Sequence, residues 1–150
     1  MMDTDRLAEL IDAKREVLTR LRQFARRQVE VVAEEDLTRL FSLLAAKQTL
    51  VDELTRLETE LNPFRNQQPE DRVWRSPEAR DACRESVQSC EAIYRELLLL
   101  EKQGAADLSE RRDHIARQLD GAHSAAKARR AYGHEAATRP AVSAFDCTSD

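Results

Sequence analysis

Two pairs of acidic residues and histidines stand at helical spacing and could bind a metal ion. Glu110 and His114 are four residues apart, and Asp120 and His123 are three apart. A di-iron helical bundle needs Glu-x-x-His motifs that face inward from two helices, and this sequence has none. Since both pairs fall in one helical segment, we interpret them as solvent-facing residues and expect no metal site.

The cysteines could supply a nucleophile or a disulfide. Cys83 and Cys90 share a helix face, but two helical turns separate them by about 10 Å, so their thiols do not meet. We therefore expect both to be small core residues. Cys147 has only Arg139 nearby in sequence to lower its pKa. The sequence contains neither a glycine-rich phosphate loop nor a G-x-S-x-G motif. It therefore predicts a protein that is not an enzyme and needs no cofactor.

The composition is typical of long helices. Charged residues make up 35% of the 150 residues and aromatic residues 5%, with three glycines and four prolines. A formal net charge of −4 argues against nucleic acid as a partner. No apolar run approaches the roughly 20 residues that span a bilayer, so we expect no membrane insertion. The acidic first residues are unlike a secretory signal, and unpaired cysteines suit a reducing compartment, which together predict a cytoplasmic protein.

The segment from Asp36 to Leu61 has the strongest helical pattern. A first apolar row recurs at three- and four-residue steps, and a second row flanks it. Three of every seven positions are apolar, which favours a bundle of three or more helices over a coiled-coil pair. Asp36 is the expected N-cap, and Asn62-Pro63 the expected end. The first row is Leu37, Leu40, Leu44, Val51, Leu54 and Leu61, and the second is Leu43, Leu50 and Leu57.

A similar pattern precedes this segment over residues 4–33. Thr4 or Asp5 is the expected N-cap. Lys14 and Gln28 interrupt the apolar stripe, and we expect their polar ends to stay in water. The register breaks at residues 34–36, which predicts a short turn and an antiparallel hairpin. One long kinked helix is the alternative, since no glycine or proline marks a turn.

The rest of the chain consists of a connection, a third helix and a tail. The connection, residues 62–76, carries Phe64, Val73 and Trp74, which we expect to anchor it to the end of the bundle. Ser76-Pro77-Glu78 is a favourable helix start. The helical period then shifts at Gly104 and resumes, which predicts one helix up to Tyr132, with Gly133 beyond its end.

The predicted fold is an all-α antiparallel three-helix bundle. Residues 1–132 form the bundle, with helices at about 4–33, 36–61 and 77–132. The third helix extends beyond the hairpin formed by the first two. Residues 133–150 lack a period and form a disordered tail, in which Val142 and Phe145 are isolated apolar residues.

The pattern resembles the FlgN-like family of flagellar type III export chaperones. The first helix is similar only in pattern. The second matches in its aspartate, its lysine and its leucines, and the Tyr132-Gly133 pair closes the third helix as in the family. Two departures are Glu35, where the family often has glycine, and Gln103-Gly104, where it often has asparagine. The matching second-helix residues are Asp36, Leu37, Leu40, Lys47, Val51, Leu54 and Leu57.

This resemblance implies a cytoplasmic chaperone of the bacterial flagellum. Members of the family bind the C-terminal helices of hook–filament junction proteins, prevent premature assembly and deliver this cargo to the export gate. Tyr132 would then contact the gate. Leu108, Ile115 and Leu119 would line a cargo-binding groove, because they are apolar beyond the part of the third helix that the hairpin, with helices of about 40 Å, can cover.

Two alternatives remain open. A self-associating coiled-coil adaptor would cover its apolar faces with a second copy, so a homodimer is possible on this hypothesis. A ferritin-like metal enzyme is the third possibility, and the missing Glu-x-x-His pairs argue against it.

Overall fold

The structure is a computed structural model in which residues 3–137 are described, with side chains up to Gly133. It contains α1 (Thr4–Ala33), α2 (Leu37–Arg65) and α3 (Pro77–Ala137), with a short 3₁₀ turn at Pro69–Asp71. No β-strand occurs in these described residues, so the predicted all-α three-helix fold is confirmed. The chain divides into two compact units after Asp107.

Helices α1 and α2 form an antiparallel hairpin. Lys14 near the start of α1 pairs with Glu58 near the end of α2, at 2.6 Å. At the other end, the Lys47 ammonium of α2 donates a hydrogen bond of 3.2 Å to the Gln28 side chain of α1. The alternative of one long kinked helix is therefore wrong.

Helix α3 runs parallel to α1. The Ser86 hydroxyl donates to the Asp12 carboxylate at 2.8 Å. Further along both helices, Arg22 pairs with Glu96 at 3.1 Å. Residue numbers in α1 and α3 therefore increase in the same direction along the contact. With α2 antiparallel to α1, the three helices run up-down-up.

The hairpin turn depends on one residue in a left-handed conformation. Glu34 ends α1 with helical angles, and Glu35 then takes a φ of 59°. Asp36 follows as the predicted N-cap of α2, where its Oδ1 accepts the Arg39 backbone N–H at 3.1 Å. Since left-handed backbone costs a residue with a Cβ about 1–2 kcal/mol, the turn forms despite its sequence.

The centre of the α2 apolar face differs from the prediction. Leu43, Leu50, Leu57 and Phe64, spaced by seven residues, are all buried. Two residues of the predicted first row, Leu40 and Leu61, are buried as well, whereas Leu37 of that row is 62% exposed. A row spaced by seven runs almost straight along a helix, so it can face α1 and α3 together while the rows beside it are only partly covered.

Helix α2 continues past the predicted end at Asn62-Pro63 and includes Pro63 in its last turn. The prediction was wrong because Phe64 continues the buried row, and a further turn places its ring in the core. The Arg72 guanidinium donates to the Phe64 carbonyl at 2.7 Å, which satisfies a C-terminal acceptor of the helix.

The connection is anchored differently from the prediction. Trp74 packs against the core as expected, but the Val73 side chain is largely exposed. The Val73 backbone makes the contact instead, since its carbonyl accepts the Thr4 hydroxyl at 2.8 Å. Periodicity identifies apolar side chains, and it gives no signal for an anchor made by a carbonyl group.

The helix ends agree with the sequence in part. Ser76 caps α3 as predicted, since its Oγ accepts the Ala79 backbone N–H at 3.1 Å. Asp3 caps α1, rather than the predicted Thr4 or Asp5. Gly133 lies inside α3, which ends at Ala137 rather than near Tyr132. Residues 138–150 of the predicted disordered tail lie outside the described residues.

A polar layer joins all three helices. Gln28 of α1 is only 5% exposed, so the expectation that its polar end stays in water is wrong. Lys47 of α2 donates to Gln28 and pairs with Glu101 of α3. Gly104 of α3 completes the layer, because a Cβ there would stand 3.2 Å from the Gln28 Nε2 atom. A layer that joins one buried and two partly buried polar groups favours one helix register over others.

Replacing Glu35 with glycine should stabilise the protein. Glycine adopts the left-handed conformation at no steric cost, so we expect Glu35→Gly to raise the free energy of unfolding by about 0.5–1 kcal/mol. Glu34→Gly is the matched control and should lower it, since Glu34 is helical. Thermal unfolding followed by circular dichroism measures both. A less stable Glu35→Gly variant would contradict the strained turn.

Truncating the centre of the α1 face should be costly. Leu21 is 2% exposed. Because Leu21→Ala leaves a cavity in the core, we expect it to lower the free energy of unfolding by about 2–5 kcal/mol. Leu99 is largely exposed on α3, so Leu99→Ala should change stability by less than about 0.5 kcal/mol. Urea unfolding of the two variants checks the difference, and equal losses would show that the core is misplaced.

Candidate functional site

Apolar side chains are uncovered on the part of α3 that belongs to the second unit. Leu108 is half-buried, whereas Ile115 is 51% and Leu119 65% exposed. The three are seven and four residues apart, which places them on one face of the helix. We call these three residues the apolar stripe. The structure therefore brings the predicted cargo-binding residues together.

Tyr132 lies on a different side of the same helix. It follows Leu119 by thirteen residues, which at about 100° per residue turns it roughly 140° away from the apolar stripe. Its ring is 73% exposed. A partner on the stripe would leave Tyr132 accessible, so the predicted gate contact and the predicted cargo site form two separate surfaces.

The charged side chains of this part of α3 are mainly basic. Residues 108–133 contain six basic and three acidic residues, and no acidic residue follows Asp120 in this range. His114 and His123 are both exposed. In the part of the chain that the structure describes, no cluster of three or more His, Cys, Asp or Glu side chains could hold a metal ion. This part of α3 can therefore bind a partner through apolar contacts and through attraction to its positive charges.

A second candidate site, in the first unit, was missed by the sequence analysis. It is a cleft of about 430 Å³ between the start of α1, the end of α2, the connection and the start of α3. Its apolar lining includes Phe64, Trp74 and Val87. Five basic side chains line it, and no acidic side chain among the described residues does. These are Lys14, Arg65, Arg72, Arg80 and Arg84.

Only two of the five basic groups in the cleft form an ion pair with a carboxylate of the described residues. The Glu58 carboxylate forms ion pairs with both Lys14 and Arg65. Arg72 donates to the Phe64 carbonyl and, at 3.2 Å, to the Gln67 side chain, neither of which carries a charge. Arg80 and Arg84 make no side-chain hydrogen bond or ion pair with any residue of the described range. The cleft is therefore positive.

The same contacts shift the pKa of Glu58. Partial burial alone would raise the pKa of this carboxyl, but the hydrogen bonds and charges of Lys14 and Arg65 outweigh it and hold the pKa below its ordinary value of 4.5. Glu58 therefore stays ionised near neutral pH and keeps the two basic groups in place.

The two cysteines of α3 are core residues, as predicted. Both are free and buried. Burial raises the pKa of the Cys83 thiol, although the charge of Arg72 beside it acts in the opposite direction. Burial also raises the pKa of Cys90, whose thiol donates to the Ile11 carbonyl at 3.7 Å. Raised thiol pKa values mean little thiolate near neutral pH, so neither group is an activated nucleophile. Cys147 lies outside the described residues.

Comparisons with models of protein families, with curated proteins and with solved structures gave no match for this chain. The resemblance to the FlgN-like chaperones therefore stays a prediction. Among the helices of residues 3–137, none combines the length and apolar character needed to cross a lipid bilayer.

The Glu58 ion pairs should make stability sensitive to acid. Because the folded-state pKa is lowered, the unfolded chain binds more protons near pH 4.5, and stability falls as the pH drops through the folded pKa. We expect Glu58→Gln to lower the free energy of unfolding by about 1 kcal/mol at pH 7. The effect is limited because both ion pairs are partly exposed to solvent. This difference from the unchanged protein should shrink below pH 4.5.

Urea unfolding between pH 3 and pH 7 measures this dependence. Glu53→Gln is the control, since Glu53 lies on the same helix and makes none of these contacts. A Glu58→Gln cost that stays constant down to pH 3 would show that the ion pairs do not lower the pKa.

Proposed function

We propose that the protein is a helical chaperone that holds an amphipathic helix of a partner protein on the apolar stripe. The observation that carries the proposal is the exposure of Ile115 and Leu119 on one face of α3. Exposed apolar side chains that share a face are typical of a protein-binding surface, whereas isolated ones need no explanation.

The physics of single helices supports a helical partner. A helix in a protein is stabilised mostly by packing of its apolar face, and a helix without such packing is only marginally stable in water. Gly121 lowers the helix propensity of the second unit further, and apart from the adjacent backbone of its own helix no atom of the described residues lies within 4 Å of where its Cβ would be. A second amphipathic helix laid along the stripe would supply the missing packing.

The size of the stripe also suits a partner that must later be released. Burying a large apolar side chain contributes about 1.5–3 kcal/mol before the cost of association is subtracted. Three such residues, one of them already half-buried, support a reversible complex. Permanent assembly would need a larger apolar surface.

The resemblance to the FlgN-like family suggests the partners. On that hypothesis the cargo is the C-terminal helical segment of hook–filament junction proteins, and Tyr132 contacts the export gate. One departure from the family pattern has a structural counterpart. Glu35, where the family often has glycine, takes the left-handed conformation that glycine favours.

A second copy of the chain is the competing occupant of the stripe, because a self-associating adaptor would cover the same residues. Analytical ultracentrifugation separates the two functions. A chaperone is expected to be a monomer when free and to bind one cargo segment. A dimer that dissociates on dilution, and that Ile115→Asp with Leu119→Asp abolishes, would favour the adaptor.

Charges placed on the stripe should abolish cargo binding. We expect Ile115→Asp with Leu119→Asp to weaken capture of a junction-protein C-terminal segment at least a hundredfold, since each substitution replaces an apolar contact with a charge that must lose its water. Helicity by circular dichroism should change little because both side chains are exposed.

The matched control is Ser124→Asp with Ala131→Asp, which adds the same charge on the other side of α3. Isothermal titration calorimetry with the purified segment measures all three proteins. Unchanged affinity in the Ile115 and Leu119 variant would refute the binding surface.

A further inference from the structure

The positive cleft of the first unit is not used by the proposed chaperone function. Three of its guanidinium groups, those of Arg72, Arg80 and Arg84, form no ion pair with a carboxylate of the described residues. Its apolar lining includes Phe64 and Trp74. A concave site of about 430 Å³ that combines an apolar lining with a few polar groups has the size and character of a small-molecule binding site.

One face of α3 contributes both apolar and basic side chains to the cleft. Four lining residues stand at the i, i+3, i+4 and i+7 spacing of a single helix face, namely Arg80, Cys83, Arg84 and Val87. Cys83 is buried and Val87 is 37% exposed. Because Arg80 and Arg84 are four residues apart, their side chains are neighbours on the helix surface and can reach one anion together.

Arg72 brings a third guanidinium group to this face from the connection. Burial raises the pKa of the Cys83 thiol and the charge of Arg72 acts against it, which places the guanidinium close to Cys83. Its hydrogen bonds to the Phe64 carbonyl, at 2.7 Å, and to the Gln67 side chain, at 3.2 Å, hold it there without cancelling its charge. The cleft therefore offers positive charge directly beside apolar contact.

The positive charge is confined to the cleft. Four exposed acidic residues lie within two positions of a lining arginine in sequence but do not line the cleft themselves, namely Glu70, Asp71, Asp81 and Glu85. A long acidic chain that continued past the cleft would meet these negative charges, whereas a compact anion inside it would meet the basic ones. The charge distribution therefore favours a small ligand over an acidic segment of a protein.

We infer that this cleft binds a small amphipathic carboxylate, a molecule that joins one carboxylate to an apolar body, as a fatty acid of medium chain length does. The carboxylate lies at Arg80 and Arg84, and the apolar body lies against Phe64, Trp74 and Val87. All of these residues belong to the first unit, so the site does not depend on the apolar stripe.

Trp74 reports on this binding directly, because it is the single tryptophan and lines the cleft. We expect octanoate, titrated into the full chain, to change the Trp74 fluorescence in a saturable way. Butyrate should bind at least about tenfold more weakly, since its shorter chain buries less apolar surface. The uncharged 1-octanol should also bind at least about tenfold more weakly, because it offers the arginines no carboxylate.

Arg80→Gln with Arg84→Gln should weaken octanoate binding at least about tenfold. Helicity by circular dichroism should not change, since both side chains are exposed. Arg20→Gln with Arg95→Gln is the matched control and should bind octanoate normally, because it removes the same charge from exposed helix positions that do not line the cleft. Isothermal titration calorimetry measures the affinities of all three proteins.

The inference would be overturned if octanoate caused no saturable change, if 1-octanol bound as tightly as octanoate, or if the Arg80 and Arg84 variant kept the full affinity. A short peptide with phenylalanine beside aspartate tests a protein segment as the occupant, and tighter binding of this peptide than of octanoate would overturn the small-molecule assignment. None of these measurements uses the cargo segment, so the chaperone proposal is tested separately.

Discussion

Three helices can share one core only if each turns the centre of its apolar face towards the same axis. In this protein the row from Leu43 to Phe64 takes that position on α2, and the rows beside it are left partly covered. The polar layer of Gln28, Lys47 and Glu101 then fixes how far each helix can slide along the others, because a shift would separate the buried Gln28 amide from the partly buried Lys47 and Lys47 from Glu101. Apolar burial brings the helices together, and this layer sets their register.

Sequence reasoning predicted the elements better than their details. The caps at Asp36 and Ser76 are local, since each side chain binds a backbone N–H three residues away, and both were predicted. The end of α2 was not, because the burial of Phe64 by other parts of the fold outweighs the local signal of Pro63. The prediction that the polar end of Gln28 stays in water was also wrong, since its hydrogen-bond partner Lys47 comes from another helix.

The two candidate sites also differ in how far the sequence could predict them. The apolar stripe lies on a single helix, so the spacing of Leu108, Ile115 and Leu119 was enough to place the three residues on one face. The positive cleft combines side chains from α1, α2, the connection and α3, which only the folded chain brings together. Its one sequence signal was Trp74 among several arginines, and Trp74 was interpreted as an anchor alone.

Helix α3 carries one unbroken hydrogen-bonded backbone through two different surroundings. From Cys83 to Gly104 one side of it is buried in the core, whereas from Ile115 to Tyr132 almost every side chain meets solvent. Backbone amides in the first stretch can exchange with deuterium only when the bundle opens, while those in the second need only local fraying. A single helix would thus show two protection levels, and an occupied stripe would raise the lower one towards the higher.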